Sequence, residues 1–97
     1  MIKIAAVCST GVGSSMMVDM NMQSIIGKWG LDDQVESTHM DMGSANYDAA
    51  DHFFVGRDLK DAAEDRLGDK VTVLESIIDQ DELAEKLKNF LKDQGIM

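Results

Sequence analysis

Cys8, the single cysteine of the chain, opens a turn continued by Ser9, Thr10, Gly11, Val12, Gly13, Ser14 and Ser15. Gly11 and Gly13 allow positive φ and a close approach of backbone to a bound group. The amides around them can converge on one concavity at the positive end of a following helix, a setting that holds anions. A thiol placed there is held below the ordinary cysteine value of about 8.5 and reacts as the thiolate. A phosphoryl group on that sulfur would have its oxygens gripped by the same amides and by the hydroxyls of Ser9, Thr10, Ser14 and Ser15. The loop therefore suits a covalent phosphocysteine. The competing reading makes Cys8 a small apolar plug at a strand end, since cysteine is often buried.

Such a loop needs a strand to deliver it and a helix to receive it. Ile2 to Val7, apolar apart from Lys3, reads as a strand buried on both faces of a parallel sheet. A helix is expected from Ser14 to Lys28, capped by Ser14 or Ser15, with Met16, Met20, Ile25 and Ile26 as an interrupted apolar face and Gly27 and Gly30 closing it. Its methionines offer a pliable surface, with Met17 or Met20 the exposed candidates. Asp32 to Met40 reads as a polar edge strand, Gly43 to Asp51 as turn or short helix, and His52 to Val55 as a central strand ended by Gly56. Asp58 is expected to cap a second helix running to Leu67, and Lys70 to Leu74 supplies the last strand. Asp79 to Glu82 resembles a capping box before a helix whose Leu83, Leu87, Phe90 and Leu91 share one face, with Gly95 beyond its end.

Alternating strands and helices predict a single α/β domain over residues 1–97, in three layers. Its four-stranded parallel sheet has the order 2-1-3-4, with helices on both faces. The topological switch then falls between the first and third strands, where ligands bind beyond the carboxyl ends. This sets the Cys8 loop beside Gly56, Arg57 and Asp58, and makes Arg57 a candidate accessory for the phosphoryl group or for an acid on a partner. The opposing reading leaves Arg57 a solvated surface residue.

Composition narrows the function further. The formal charge of −9 argues against nucleic acid, whose phosphates need clustered Lys and Arg. None of the 18 acidic residues precedes Asp19, so the proposed anion site is spared. No apolar run is long enough to span a membrane, and one cysteine fits a reduced, cytoplasmic setting. A Walker A loop would need lysine after Gly13, and the dinucleotide fingerprint would need glycine at Met16. Cys8, His39 and His52 lack zinc-ligand spacing, so neither metal nor cofactor is expected. Cysteine phosphatases resemble the loop more closely, but their arginine six residues after the cysteine is Ser14 here. Without that guanidinium, the transition state loses bidentate charge stabilisation, and hydrolysis becomes slow relative to onward transfer.

Ala6-Val7-Cys8 with Gly11 and Gly13-Ser14-Ser15-Met16 resembles the enzyme IIB component of the bacterial phosphoenolpyruvate-dependent sugar phosphotransferase system. The Gly43-Ser44-Ala45 and Phe54-Val55-Gly56-Arg57-Asp58-Leu59 stretches extend the resemblance along the whole chain. It is nearest the ascorbate-type proteins, with galactitol-, mannitol- and lactose-type relatives next. The resemblance implies that Cys8 accepts a phosphoryl group from phosphohistidine on a IIA protein, cradled by residues Ser9 to Ser15. It further implies transfer to a sugar held by a membrane IIC transporter, with the protein itself cytoplasmic and not inserted in the membrane. A slow phosphatase and a IIB-like regulatory module stand as alternatives.

Overall fold

A computed structural model describes residues 1–8 and 14–97, the side chain of Ser14 excepted. Four strands, β1 (Ile2–Cys8), β2 (Val35–Asp41), β3 (His52–Gly56) and β4 (Val71–Leu74), pair in the order β2-β1-β3-β4. Every pairing is parallel. The helices are α1 (Ser14–Lys28), α2 (Lys60–Leu67) and α3 (Gln80–Asp93), with a 3-10 turn at Arg57–Leu59. The predicted three-layer arrangement and strand order are those observed.

The period-2 alternation of β1 divides the core. Ile4 and Ala6 face one way with Phe54 of β3 and Leu74 of β4, and are covered by Val18, Met22 and Ile26 of α1 and Leu83, Leu87 and Leu91 of α3. Ala5 and Val7 face the other way with Phe53 and Val55, against Ala63 and Leu67 of α2. Burial on both faces explains why β1 and β3 are almost wholly apolar, while edge strand β2 tolerates Glu36, Ser37 and His39.

Both long helices end in the same device. Gly30 (φ 70°) follows α1 and Gly95 (φ 77°) follows α3. Leu31 N–H reaches Ile26 O at 3.0 Å and Gly30 N–H reaches Gly27 O at 3.1 Å, with Ile96 to Leu91 and Gly95 to Lys92 repeating the pattern at 3.0 Å. This is the Schellman arrangement, in which glycine takes the left-handed position without a Cβ penalty.

Several local expectations need correction. The inward face of α1 is Ser15, Val18, Asp19, Met22 and Ile26, whereas Met16 is exposed; of the two exposed candidates, Met20 is exposed and Met17 half-buried. The helix chooses its face by the sheet it covers, and an unbranched thioether tolerates solvent. Ser15 lies inside α1 and does not cap it, while Ser14's side chain lies outside the described residues. Asp58 sits in the 3-10 turn and caps nothing, because α2 begins only at Lys60 with no side-chain cap. β2 starts at Val35, since Gln34 and Val35 are tied back to Leu31 O at 2.8 and 2.9 Å in a turn.

The capping box before α3 is half formed. Asp79 Oδ1 accepts from Glu82 N–H at 3.0 Å. Glu82 does not reciprocate at Asp79, whose own N–H goes to Ser76 O. Instead its two oxygens accept from Glu75 N–H (2.8 Å) and Ser76 N–H (2.9 Å), and Lys86 Nζ lies 2.8 Å away. The carboxylate thus pins the β4–α3 connection, and these contacts hold its pKa down to about 2, the Lys86 bond contributing most.

Candidate functional site

At the carboxyl ends of β1, β3 and β4 a cavity of about 70 Å³ opens between the sheet and α1. On the same measure, one water needs roughly 10–15 Å³. Its walls are mostly apolar: Ala6 and Val7 of β1, Val18 of α1, Phe54 of β3, and Leu59, Leu74 and Ile77. Among the described residues, three polar side chains line it, those of Cys8, Ser15 and Asp58. Strand order accounts for the location. β1 and β3 are neighbours but their crossovers depart in opposite directions, leaving a crevice beyond their ends.

Each polar side chain arrives from a different element. Cys8 ends β1, opposite Asp41 of β2, and is 8% exposed. Ser15, in the first turn of α1, is 2% exposed, and its Oγ has no hydrogen-bond partner among the described residues. A buried hydroxyl left unpaired costs about 1–3 kcal/mol, which a bound group with acceptor oxygens would recover. Asp58 reaches the cavity from the 3-10 turn after β3, and its carboxylate makes no hydrogen bond or ion pair among the described residues. Gly56 beneath it leaves the room, since a Cβ there would stand 2.7 Å from Asp58 Oδ1 and 3.3 Å from Ile77 Cγ2.

One turn along α1, buried Asp19 fastens the helix to the edge strand. Its Oδ2 accepts from His39 Nδ1 at 2.8 Å, and its Oδ1 from Ser37 Oγ and from Gln23 Nε2 (3.1 Å). His39 thus serves as a tether, and Ser15 inherits its place from this anchored helix. The other histidine, His52, stacks on Phe90 with centroids 4.3 Å apart, and its Nε2 lies 2.6 Å from Thr72 Oγ1. It lines grooves separate from the Cys8 cavity. Burial lowers its pKa to about 4, against a smaller opposing pull from Asp69.

The site residues expected from the sequence divide three ways. Cys8 and Ser15 are brought together. Ser9, Thr10, Gly11, Val12 and Gly13 lie outside the described residues, as does the side chain of Ser14. Arg57 does not line the cavity; its side chain is 74% exposed, with Nη1 3.9 Å from Glu75 Oε2. Asp58 takes the inward place instead. The sequence carries a signal for it, because Asp58 stands just past the β3 terminus at the same switch point that singled out Arg57.

Residues 3–89 match the family described as PTS system, lactose/cellobiose-specific IIB subunit. The chain belongs to that family. It is thereby a phosphoryl-transfer component of a sugar phosphotransferase system. Solved structures that share the fold include these two. One is a low molecular weight protein tyrosine phosphatase from Bacillus subtilis, with TM-score 0.66 and 19% identity over 95% of this chain and 98% of that one. The other is the lactose-specific IIB component domain from Streptococcus pneumoniae, with TM-score 0.61 and 15% identity over 95% of each chain. No match is found among curated proteins. Among the described residues of this IIB subunit, no helix is long and apolar enough to cross a membrane.

Proposed function

We propose that this IIB subunit carries a phosphoryl group on Cys8 between a phosphohistidine of a IIA protein and a sugar held by a IIC transporter at the cytoplasmic face of the membrane. In the loading step the Cys8 sulfur forms the S–P bond as the N–P bond breaks, and the electron pair returns to the donor imidazole. The loop from Ser9 to Ser15 cradles the oxygens, and catalysis rests on positioning and charge stabilisation in a loose, in-line transfer. The observation that carries the reading is the Ser15 hydroxyl, buried, unpaired, and lining one cavity with Cys8. A phosphoryl oxygen is the acceptor that such a donor lacks.

Ascorbate is the sugar proposed, on the strength of the resemblance of the whole chain to ascorbate-type IIB proteins. Arg57, outside the cavity but beside its mouth, is assigned to an acidic group on a docking partner. Exposed Met16 and Met20, on the turns of α1 that follow the loop, add pliable apolar surface to the same approach.

The test is intact-mass analysis after incubation with phosphoenolpyruvate, the general phosphotransfer proteins and an ascorbate-type IIA, followed by peptide mapping at neutral pH. One phosphoryl group on the Cys8 peptide, absent from Cys8→Ser, is the expected result. Label retained in Cys8→Ser would move the acceptor elsewhere, and no label from any IIA would favour a phosphatase or regulatory role. The phosphatase reading draws on the shared fold, and an aryl-phosphate assay measures it directly.

A further inference from the structure

We infer that Asp58 is the proton acceptor for the sugar hydroxyl when the phosphoryl group leaves Cys8. The inference rests on the carrier reading above and adds a residue to its second half-reaction. The supporting geometry is the shared cavity: Cys8 at the end of β1, the unpaired Ser15 hydroxyl on α1, and Asp58 opposite them on the turn after β3. Asp58 is exposed to solvent on its outer side while lining the cavity within, so it stands where an incoming acceptor must pass. Its carboxylate is committed to no cation or amide among the described residues, although Arg57 is adjacent in sequence and Lys60 is near. The neighbouring guanidinium turns to Glu75 instead.

The two half-reactions make different demands. Loading from phosphohistidine takes the group from a nitrogen that leaves as part of an imidazole, and the nucleophile is the sulfur of Cys8. Discharge has an alcohol as nucleophile, and its proton must go somewhere. The oxygen lone pair forms the new O–P bond, the S–P bond breaks with its electrons remaining on Cys8 as thiolate, and the hydroxyl proton passes to the Asp58 carboxylate and then to solvent. Net charge is conserved across the step. An aspartate accepting a hydroxyl proton serves the same purpose in protein kinases, whose acceptor is likewise an alcohol. Gly56 belongs to the arrangement, because any larger residue would place a Cβ against the Asp58 carboxylate.

The experiment separates the half-reactions in the full chain. Phosphoprotein is prepared with phosphoenolpyruvate and the general phosphotransfer proteins plus an ascorbate-type IIA. Its discharge is then followed to unphosphorylated IIA, and to ascorbate in vesicles carrying the ascorbate-type IIC transporter. Asp58→Asn should discharge to the sugar about 100-fold or more slowly, the usual range for a lost general base, while loading from IIA and return to it change far less. Asp58→Glu should recover part of the sugar rate. Wild-type sugar discharge in Asp58→Asn, or equal slowing toward IIA and sugar, overturns the inference while leaving the carrier reading intact. Failure of wild-type protein to load at all removes the carrier reading, and the role of Asp58 falls with it.

Discussion

His39 donates its Nδ1–H to the Asp19 carboxylate across 2.8 Å, tying edge strand β2 to the helix that carries Ser15. Ser37 and Gln23 complete the acceptor's partners, so a carboxylate only 4% exposed is fully employed. Removing it strands three donors at once. Asp19→Ala should cost about 2–4 kcal/mol and lower Tm by roughly 10–20 °C in a domain of this size. Thermal unfolding of Asp19→Ala, His39→Ala and the double variant checks this; the two single losses should sum to more than the double loss.

Ser15→Ala should move stability and transfer in opposite directions. The variant removes a buried hydroxyl that has no partner and improves helix propensity, so Tm should rise by a few degrees. Phosphoryl loading should slow, because the cavity loses its donor. A variant that is both less stable and fully active would show that the hydroxyl is satisfied in another way.

Gly56→Ala probes the Asp58 arrangement from beneath. The backbone there (φ −71°, ψ 156°) accepts alanine, and the closest obstacle is the mobile end of an exposed side chain. The stability cost should therefore stay near ~1 kcal/mol, while sugar discharge slows as the carboxylate is displaced. Calorimetry beside the discharge assay gives both numbers.

His52 should set the first acid limb of stability. Its folded value of about 4 lies below the ordinary 6.5, so the unfolded chain binds the extra proton between those values. The contribution is complete above pH 6.5 and disappears as pH falls to 4. His52→Gln, which can still bond Thr72, should flatten urea midpoints across that window. An unaltered slope between pH 6.5 and 4 would contradict the burial argument.

Glu82 governs a lower window. Its value near 2, against 4.5 unfolded, means stability present above pH 4.5 and lost as pH falls through 2. Glu82→Gln should remove this dependence and, at neutral pH, loosen the turn that brings Ile77 to the cavity wall. Amide exchange of Glu75 and Ser76 reports that loosening residue by residue.

Much of this architecture is legible in the amino-acid sequence. The apolar character of Ile2 to Val7 and of His52 to Val55 fixes the two central strands, because only burial on both faces permits it. Glycines 30 and 95 mark helix ends for a backbone reason that needs no tertiary context. The misjudged features depend on distant partners. Whether Met16 or Val18 faces inward is decided by where the sheet lies, and the helix's own periodicity is too weak to decide it. Asp58 matches a cap by residue type, yet the chain takes a 3-10 turn first and presents the carboxylate to the cavity. Glu82 stands at a capping-box position, but the backbone of Glu75 and Ser76 competes for it and wins two hydrogen bonds. The switch point singles out Arg57, whereas the side chain that lines the cavity there is its acidic neighbour Asp58.

The central position of β1 also bears on how the nascent protein is made. Of the described strands β1 emerges first, yet its two partners end at Asp41 and Gly56. At roughly 5–20 residues per second, β1 would wait about 2–10 s for β3 to be synthesised. During that interval a run of six apolar residues broken only by Lys3 is an unpaired, aggregation-prone template. Local contacts cannot shelter it, because parallel pairing requires the intervening chain. The strand that presents Cys8 is therefore the one whose sheet neighbours are the longest in arriving.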